Sequence, residues 1–553
     1  MTNDDAVAAS KLDAFQAELD DSLCTWPAEP TPHTRANAVD QWPKPITPLT
    51  QDLIMLPQER GLEAAFVDEL GVAQPKGPWT WNGVFYGWVT YSVEASAELA
   101  DSLPGWSRTG VYEDYFGVTA DPQAEPPPKG KVNPLQLLAV LRNFLRAQRG
   151  YPRRSGKMRV EAEAQLRTDL ARDWSAESSA ALARRVVAHP DLHRAQKVPH
   201  VLASVISAAQ LDQVVKSVRK LTEDNPAGLV TDAVSGLGGV HLAEASDAMR
   251  EVAAGRMSRE EFLGRYGYRG TNEYELAAKP WSEDPTTLER LIDAARNDRS
   301  ERSGADRDAA RARLAKLAGW KWPIVRWQLG QLQTHMRWRE NGKIPSAMSA
   351  HSIRLVVREA ARRLAASGRI DAPDDVYYLR ADELVKELNG HALDGLRDAV
   401  NRRRETHKLA ADFPLPEMID AHPGRLTVIT RERWRELGVL PPAELDTSTP
   451  LLSGVGGARG VATGRARIVA DPNDVEIDEG DILVAAGTDS AWTPLFLQAA
   501  AVVVDVGGPM SHSAIAAREV GIPCVLNVKV GTTRIAEGQQ ITVDGTKGTV
   551  RLA

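Results

Sequence analysis

The pattern of apolar residues changes character once along this chain, and that change restricts the folds open to it. Before about residue 438, apolar side chains recur at helical spacing: Leu135, Leu138, Leu141, Phe144 and Leu145, then Val201, Leu202, Val205 and Ile206, then Leu211, Val214, Val215, Val218 and Leu221. Residues 439–460, VLPPAELDTSTPLLSGVGGARG, are rich in Pro, Gly, Ser and Thr and read as a linker. Beyond it the apolar residues come in runs of strand length, such as DILV at 481–484 and AAAVVVDV at 499–506, and QQITVDGTKGTVRLA reads as a hairpin turning at Asp544–Gly545. The expected fold is therefore multidomain: a large, mostly α-helical unit at 37–438 followed by a small α/β unit at 461–553.

Length and charge agree. A chain of 553 residues has room for three or four domains. Its net charge of −7 weakens a nucleic-acid reading, and five of those charges come from residues 1–36, which hold seven acids and two bases and read as an acidic flexible tail. The start of the chain is acidic and has no apolar core, so it is not a signal peptide. No uninterrupted run of 18 apolar residues occurs, so no membrane contact is expected. The two cysteines, Cys24 and Cys524, supply no disulfide framework and no zinc spacing; no metal site and a cytoplasmic location are expected.

The stretch that carries chemistry is 501–526, AVVVDVGGPMSHSAIAAREVGIPCVL. It reads as a strand, a Gly-Gly turn and a helix starting near Ser511, with His512 in the first turn. A helix start offers unpaired N–H groups and the positive end of a dipole, which suits an anion. Gly507 and Gly508 allow close backbone approach, and Ser511 and Ser513 flank the imidazole as phosphate-supporting candidates. An imidazole so placed is suited to attack phosphorus and carry it as phosphohistidine; a turn residue is the bland alternative.

GGPMSHSAIAAREVGIPCV resembles the swivelling phosphohistidine domain of phosphoenolpyruvate-utilising enzymes. The family pattern falls on Gly507, Gly508, Ser511, His512, Ala514, Ala517, Arg518, Glu519, Gly521, Ile522 and Pro523. The resemblance implies that His512 is the covalent phosphoacceptor, with Arg518 and Glu519 supporting its helix. WPKPITPLT at 42–50, YGYRGTNEYELAAKPWSEDP at 266–285, MRWRENGK at 336–343 and DDVYYLRADEL at 374–384 resemble, in the same order, the helical substrate domain of the rifampin phosphotransferase-like branch. Tyr268 stands where that branch usually has histidine, either as its substitute or as a packing residue.

Further expectations follow from the resemblance. Arg339 and Lys343, four apart, share a helix face and neutralise the migrating phosphoryl group. Arg269, Glu273, Tyr268, Arg337 and Trp42 are substrate-site candidates, with His335 a weaker one, and Arg269–Glu273 is alternatively an internal ion pair. Only the acidic tail precedes Trp42, and no Gly-rich phosphate loop is seen. ATP and Mg2+ are thus expected on a separate ATP-grasp nucleotide-binding subunit, the arrangement that phenylphosphate synthase and hydroxyphenyl ketone kinases resemble. The expected activity is a dikinase-type transfer through phosphohistidine to a hydroxyl of a small phenolic substrate. Fourteen tryptophans suit such an acceptor, although ordinary core packing explains them too. The alternatives are a rifampin-like antibiotic phosphotransferase and a phosphocarrier module without its own acceptor.

Overall fold

The computed structural model describes residues 3–36, 38–39, 41–72, 81–103, 106–112, 116, 134–222, 226–234, 241–296, 301–413, 415–416, 418–439, 451–470, 477–488, 492–508 and 511–552. Four long helices, Pro134–Ala171, Ser179–Arg219, Trp322–Asn341 and Ile344–Ala366, build the frame of the first unit. The Ile344–Ala366 helix buries Ile353, Val356, Val357 and Ala360 against Leu182 and Val186 of the Ser179–Arg219 helix, in a core that also takes Trp42, Ile46 and Leu49. By length and composition the Ser179–Arg219 helix is apolar enough to cross a membrane, yet half of its most apolar stretch is buried inside this protein. Its side chains reach several cores, and that burial accounts for its low polarity.

The expected acidic tail is instead part of the fold. Asn3–Ala17 is a helix, and strand β1 (Thr31–Thr34) is the middle of a five-stranded antiparallel sheet. Its order is β2 (Asn82–Phe85), β3 (Trp88–Ser92), β1, β4 (Met418–His422) and β5 (Arg425–Val428). Leu12 is buried, Phe15 stacks on Phe413 with centroids 4.1 Å apart, and Gln16 Nε2 donates to Leu426 O at 3.0 Å. The charge count hid Leu12 and Phe15, on the buried face of that first helix, and Leu19 just beyond its end.

The second unit is built on an eight-stranded sheet ordered β6 (Leu451–Ser453), β13 (Thr549–Leu552), β12 (Gln540–Asp544), β8 (Val461–Ile468), β9 (Ile482–Ala485), β10 (Ala501–Val504), β11 (Cys524–Leu526) and β7 (Val455–Ala458). Strands β8 to β11 run parallel, and the flanking pairings are antiparallel. The linker expected at 439–460 is corrected over its second half, because 451–458 supplies both outer strands. Since β6 and β7 are joined through Gly454 alone, the sheet curls back on itself. Glycine here serves close approach: a Cβ on Gly454 would lie 2.2 Å from Leu526 O, and one on Gly457 would lie 2.9 Å from Cys524 Sγ. Residues 440–450 lie outside the described residues.

Candidate active site

The His512 helix begins where its sequence puts it. Strand β10 ends at Val504, the chain turns through Gly507 at φ +146, and His512–Val520 forms the helix. A side chain at Gly507 would be strained by that φ and would press on Ser511 Oγ at 3.1 Å. Ser511 is the N-cap, its Oγ accepting from Ala514 N at 3.5 Å, and its own N–H donates to Gly508 O at 2.9 Å. Ser513 Oγ is engaged with Thr488 Oγ1 at 2.8 Å in full burial. Both hydroxyls therefore brace the helix. Gly521 closes the helix in the left-handed region at φ 76. Arg518 lies close enough to act on the buried Cys524 thiol, while the side chain of Glu519 lies outside the described residues.

His512 is not on an open surface. The small unit is docked, with Arg459 paired to Asp232 at 2.6 Å and Gly487 against Val39. The imidazole is 8% exposed. Burial holds its pKa down near 3; Lys343 lowers it further, Glu340 opposes, and Arg269 and Arg339 add to the lowering. Four charged groups from two distant stretches of sequence thus converge on one neutral imidazole.

Two loops of the helical unit supply those groups. The first is 267–281, where Arg269 pairs with Glu273 at 2.6 Å, both nearly buried. The loop is held by Glu275, whose carboxylate accepts from Thr47 N at 3.0 Å, Thr47 Oγ1 at 2.8 Å and Thr50 Oγ1 at 2.8 Å. The Trp-Pro segment at 42–50 is therefore the clamp on this loop. Trp42 itself is core, with its ring 5.9 Å from Tyr274. Tyr268 packs among Ala162, Leu166, Ile344, Ala347 and Met348, and burial drives its hydroxyl well above the ordinary phenol range. Its surroundings are those of a packing residue.

The second loop is a break between helices. Arg339 and Lys343 do not share one helix: Trp322–Asn341 ends, Gly342 follows, and Lys343 is the N-cap of Ile344–Ala366. Gly342 explains the break, since a Cβ there would meet His200 Cα, Trp338 O and Tyr151 Oη, each at 3.0 Å. Lys343 Nζ binds Glu340 at 3.0 Å, and Tyr274 Oη donates to Lys343 O at 3.4 Å. Burial pushes Glu340 up, but Lys343 and Arg339 outweigh it and hold the carboxylate below its usual range. His200 Nδ1 lies 3.1 Å from Arg339 O, so the junction is anchored to the Ser179–Arg219 helix. Arg337 is half-buried and its charge does not figure among those acting on His512. His335 sits 3.1 Å from Gln148 Nε2 with its pKa lowered to about 4 by burial, which is a packing role. Glu340 was missed in the sequence, although it lies inside the same WRENGK segment.

Residues 477–548 match the mobile domain of PEP-utilising enzymes, and residues 254–340 match the fourth domain of rifampicin phosphotransferase. His512 falls in the first match, and Arg269, Glu273, Arg339 and Glu340 fall in the second. Over these two stretches the chain is similar to phosphoenolpyruvate-utilising and rifampicin phosphotransferase proteins. Among its relatives, rifampicin phosphotransferase of Bacillus subtilis (strain 168) is 28% identical over 380 residues, which are 65% of this chain and 40% of that protein. Rifampicin phosphotransferase of Streptomyces sviceus is 29% identical over 333 residues, 57% of this chain and 37% of that one. An uncharacterized protein of Mycobacterium tuberculosis (strain H37Rv) is 32% identical over 286 residues, 52% of this chain and 30% of that one. The chain thus spans about 40% or less of the length of these relatives.

Proposed function

We propose that this protein is a phosphotransferase that carries a phosphoryl group on His512 and delivers it to a hydroxyl of a small molecule held by the helical unit. The observation that carries this reading is the convergence of Arg269, Arg339, Glu340 and Lys343 on a buried, neutral His512. A neutral imidazole can bear a phosphoryl group on one ring nitrogen. Guanidinium and ammonium groups fixed in a water-poor site neutralise charge on the migrating oxygens, which is the main catalytic demand of phosphoryl transfer. In the transfer step the P–N bond to His512 breaks, a P–O bond to the acceptor forms, and the hydroxyl proton is released.

Among the described residues no three His, Cys, Asp or Glu side chains gather as a metal site. The reading is that His512 is charged elsewhere, by an ATP-grasp partner, after the small unit swings from its docked position.

For the acceptor, the relatives named rifampicin phosphotransferase favour a rifamycin. A phenolic acceptor keeps one specific support, the aromatic pair beside the junction, where Tyr151 stacks on Trp338 at 4.7 Å. One assay separates them. The protein is incubated with an ATP-grasp partner, Mg-ATP, a rifamycin and a panel of phenols, and phosphorylated product is read by mass. Product is expected with one acceptor class and none with His512→Ala; product from His512→Ala would overturn the reading. His512 phosphorylation with no acceptor in either class would leave a phosphocarrier.

A further inference from the structure

Among the described residues, Lys197 is a buried amine with no carboxylate bound to it. It lies within the Ser179–Arg219 helix and is 6% exposed. Among the described residues its one hydrogen bond is to Gln41 Oε1, a long contact at 3.5 Å. A lone ammonium in such a place is costly, so the chain has a reason to tolerate it.

Two glycines put it where it is. A Cβ on Gly61 would meet Lys197 Cβ at 2.8 Å and Arg194 O at 2.9 Å, so the Leu56–Glu63 helix lies directly on the lysine stem. Gly342 lies as closely on His200, one turn further along the same face. The 56–63 helix and the junction that carries Arg339 and Lys343 therefore close on one face of the Ser179–Arg219 helix, with Lys197 between them.

The polar groups around it form a directed chain. Lys197 donates to Gln41, Gln41 Nε2 donates to Gln58 Oε1 at 2.6 Å, and Gln58 Nε2 lies 3.1 Å from His193 Nε2. His193 Nδ1 then faces Ser349 Oγ at 2.8 Å, which donates to Ser346 O at 3.0 Å. With Gln58 as donor, His193 is the neutral Nδ1–H tautomer, so this chain brings no negative charge to the amine. Burial holds both His193 and His200 well below the usual imidazole range, His189 and Lys197 adding to the lowering at His193, and Lys197, Lys343 and Arg339 at His200. On the 56–63 helix, Glu59 is turned to the N–H groups of Trp81 and Asn82, and Arg60 and Glu63 act on Glu59 rather than on Lys197. Glu340 is bound to Lys343. The charge felt by Lys197 is that of Lys343, and burial together with that cation lowers the amine to about 7. The missing counter-charge at this end of the site is an anion.

We propose that Lys197 completes the phosphoryl-binding site as a third cation, taking up one proton from solvent when a doubly charged anion settles against Arg339 and Lys343. The anion class is a phosphoryl group or another tetrahedral dianion. When the phosphate ester leaves, the amine returns the proton. The proposal rests on the transfer-site reading above, but its test needs neither partner nor acceptor.

Sulfate is the probe, because it does not itself titrate near neutrality. Its binding to the full chain is measured calorimetrically at pH 8 in two buffers of different ionisation enthalpy. Wild-type protein is expected to take up close to one proton per sulfate, and its Kd to rise several-fold from pH 8 to pH 9. Lys197→Arg is expected to bind sulfate with no uptake and no such pH dependence, and Lys197→Met to bind weakly with no uptake. Thermal melts establish that both variants are folded. Absence of sulfate binding, absence of uptake in wild type, or equal uptake in Lys197→Met would overturn the proposal. Failure to phosphorylate any acceptor would count against the function and leave the sulfate result standing.

Discussion

Lys343 and Glu340 divide the work at the junction. Lys343 is the largest charged influence on His512, and Glu340 is the carboxylate that holds it. Removing one preorganised cation from a phosphoryl-transfer site costs on the order of 3 kcal/mol of barrier, or about a hundredfold in rate. If His512 carries the phosphoryl group as proposed, Lys343→Met is expected to slow transfer from it by about that factor while leaving the phosphorylation of His512 intact; single-turnover kinetics of the two half-reactions check it. Equal loss in both halves would mean a folding defect. Legibility at this scale followed chemistry. His512 was readable because a Gly-Gly turn, a cap and a helix lie in one stretch. Arg339 and Lys343 were readable from their segment. Lys197 carried no local signal, since a lysine within a long helical pattern reads as surface, and its burial comes from Gly61 and Gly342 elsewhere in the chain.

At the scale of elements, the helix break at 341–344 matters more than either helix. An uninterrupted helix would have put Arg339 and Lys343 on one stripe. Gly342 instead lets the backbone touch the Ser179–Arg219 helix at His200, and Lys343 turns with the break. Gly342→Ala forces three contacts of 3.0 Å to give way, two of them against backbone. Overpacking of this kind costs about 1–3 kcal/mol. The expected result is a melting temperature lower by a few degrees, as scales with a chain of this size, and weaker sulfate binding at Arg339 and Lys343. An unchanged melting temperature would show that the junction relaxes freely. The same physics misled the reading of 451–458. Glycine and serine there suggested flexibility, but Gly454 and Gly457 are required by strands packed too closely for a Cβ. Composition records which residues are small; it does not record what presses on them.

At the scale of the whole molecule, docking and protonation are one equilibrium. In the docked state burial and then Lys343 hold His512 near 3, whereas an imidazole free in solvent titrates near 6.5. The docked state thus binds fewer protons than the swung-out state between those two values. By linkage, docking is fully favourable above pH 6.5 and weakens as pH falls below it, by up to tenfold per unit until about pH 3. The two-unit division of the chain was legible from its pattern, but this coupling was not, because it arises from Lys343 and His512, far apart in sequence, meeting across an interface. A fluorophore pair with one dye on each unit should report a docked population that falls from pH 8 to pH 5. His512→Asn, which cannot take the proton, should flatten that response while keeping the Arg459–Asp232 contact that helps hold the units together. A wild-type response identical to that of His512→Asn would show that His512 does not govern docking, and that the small unit is held by its rim rather than by its catalytic residue.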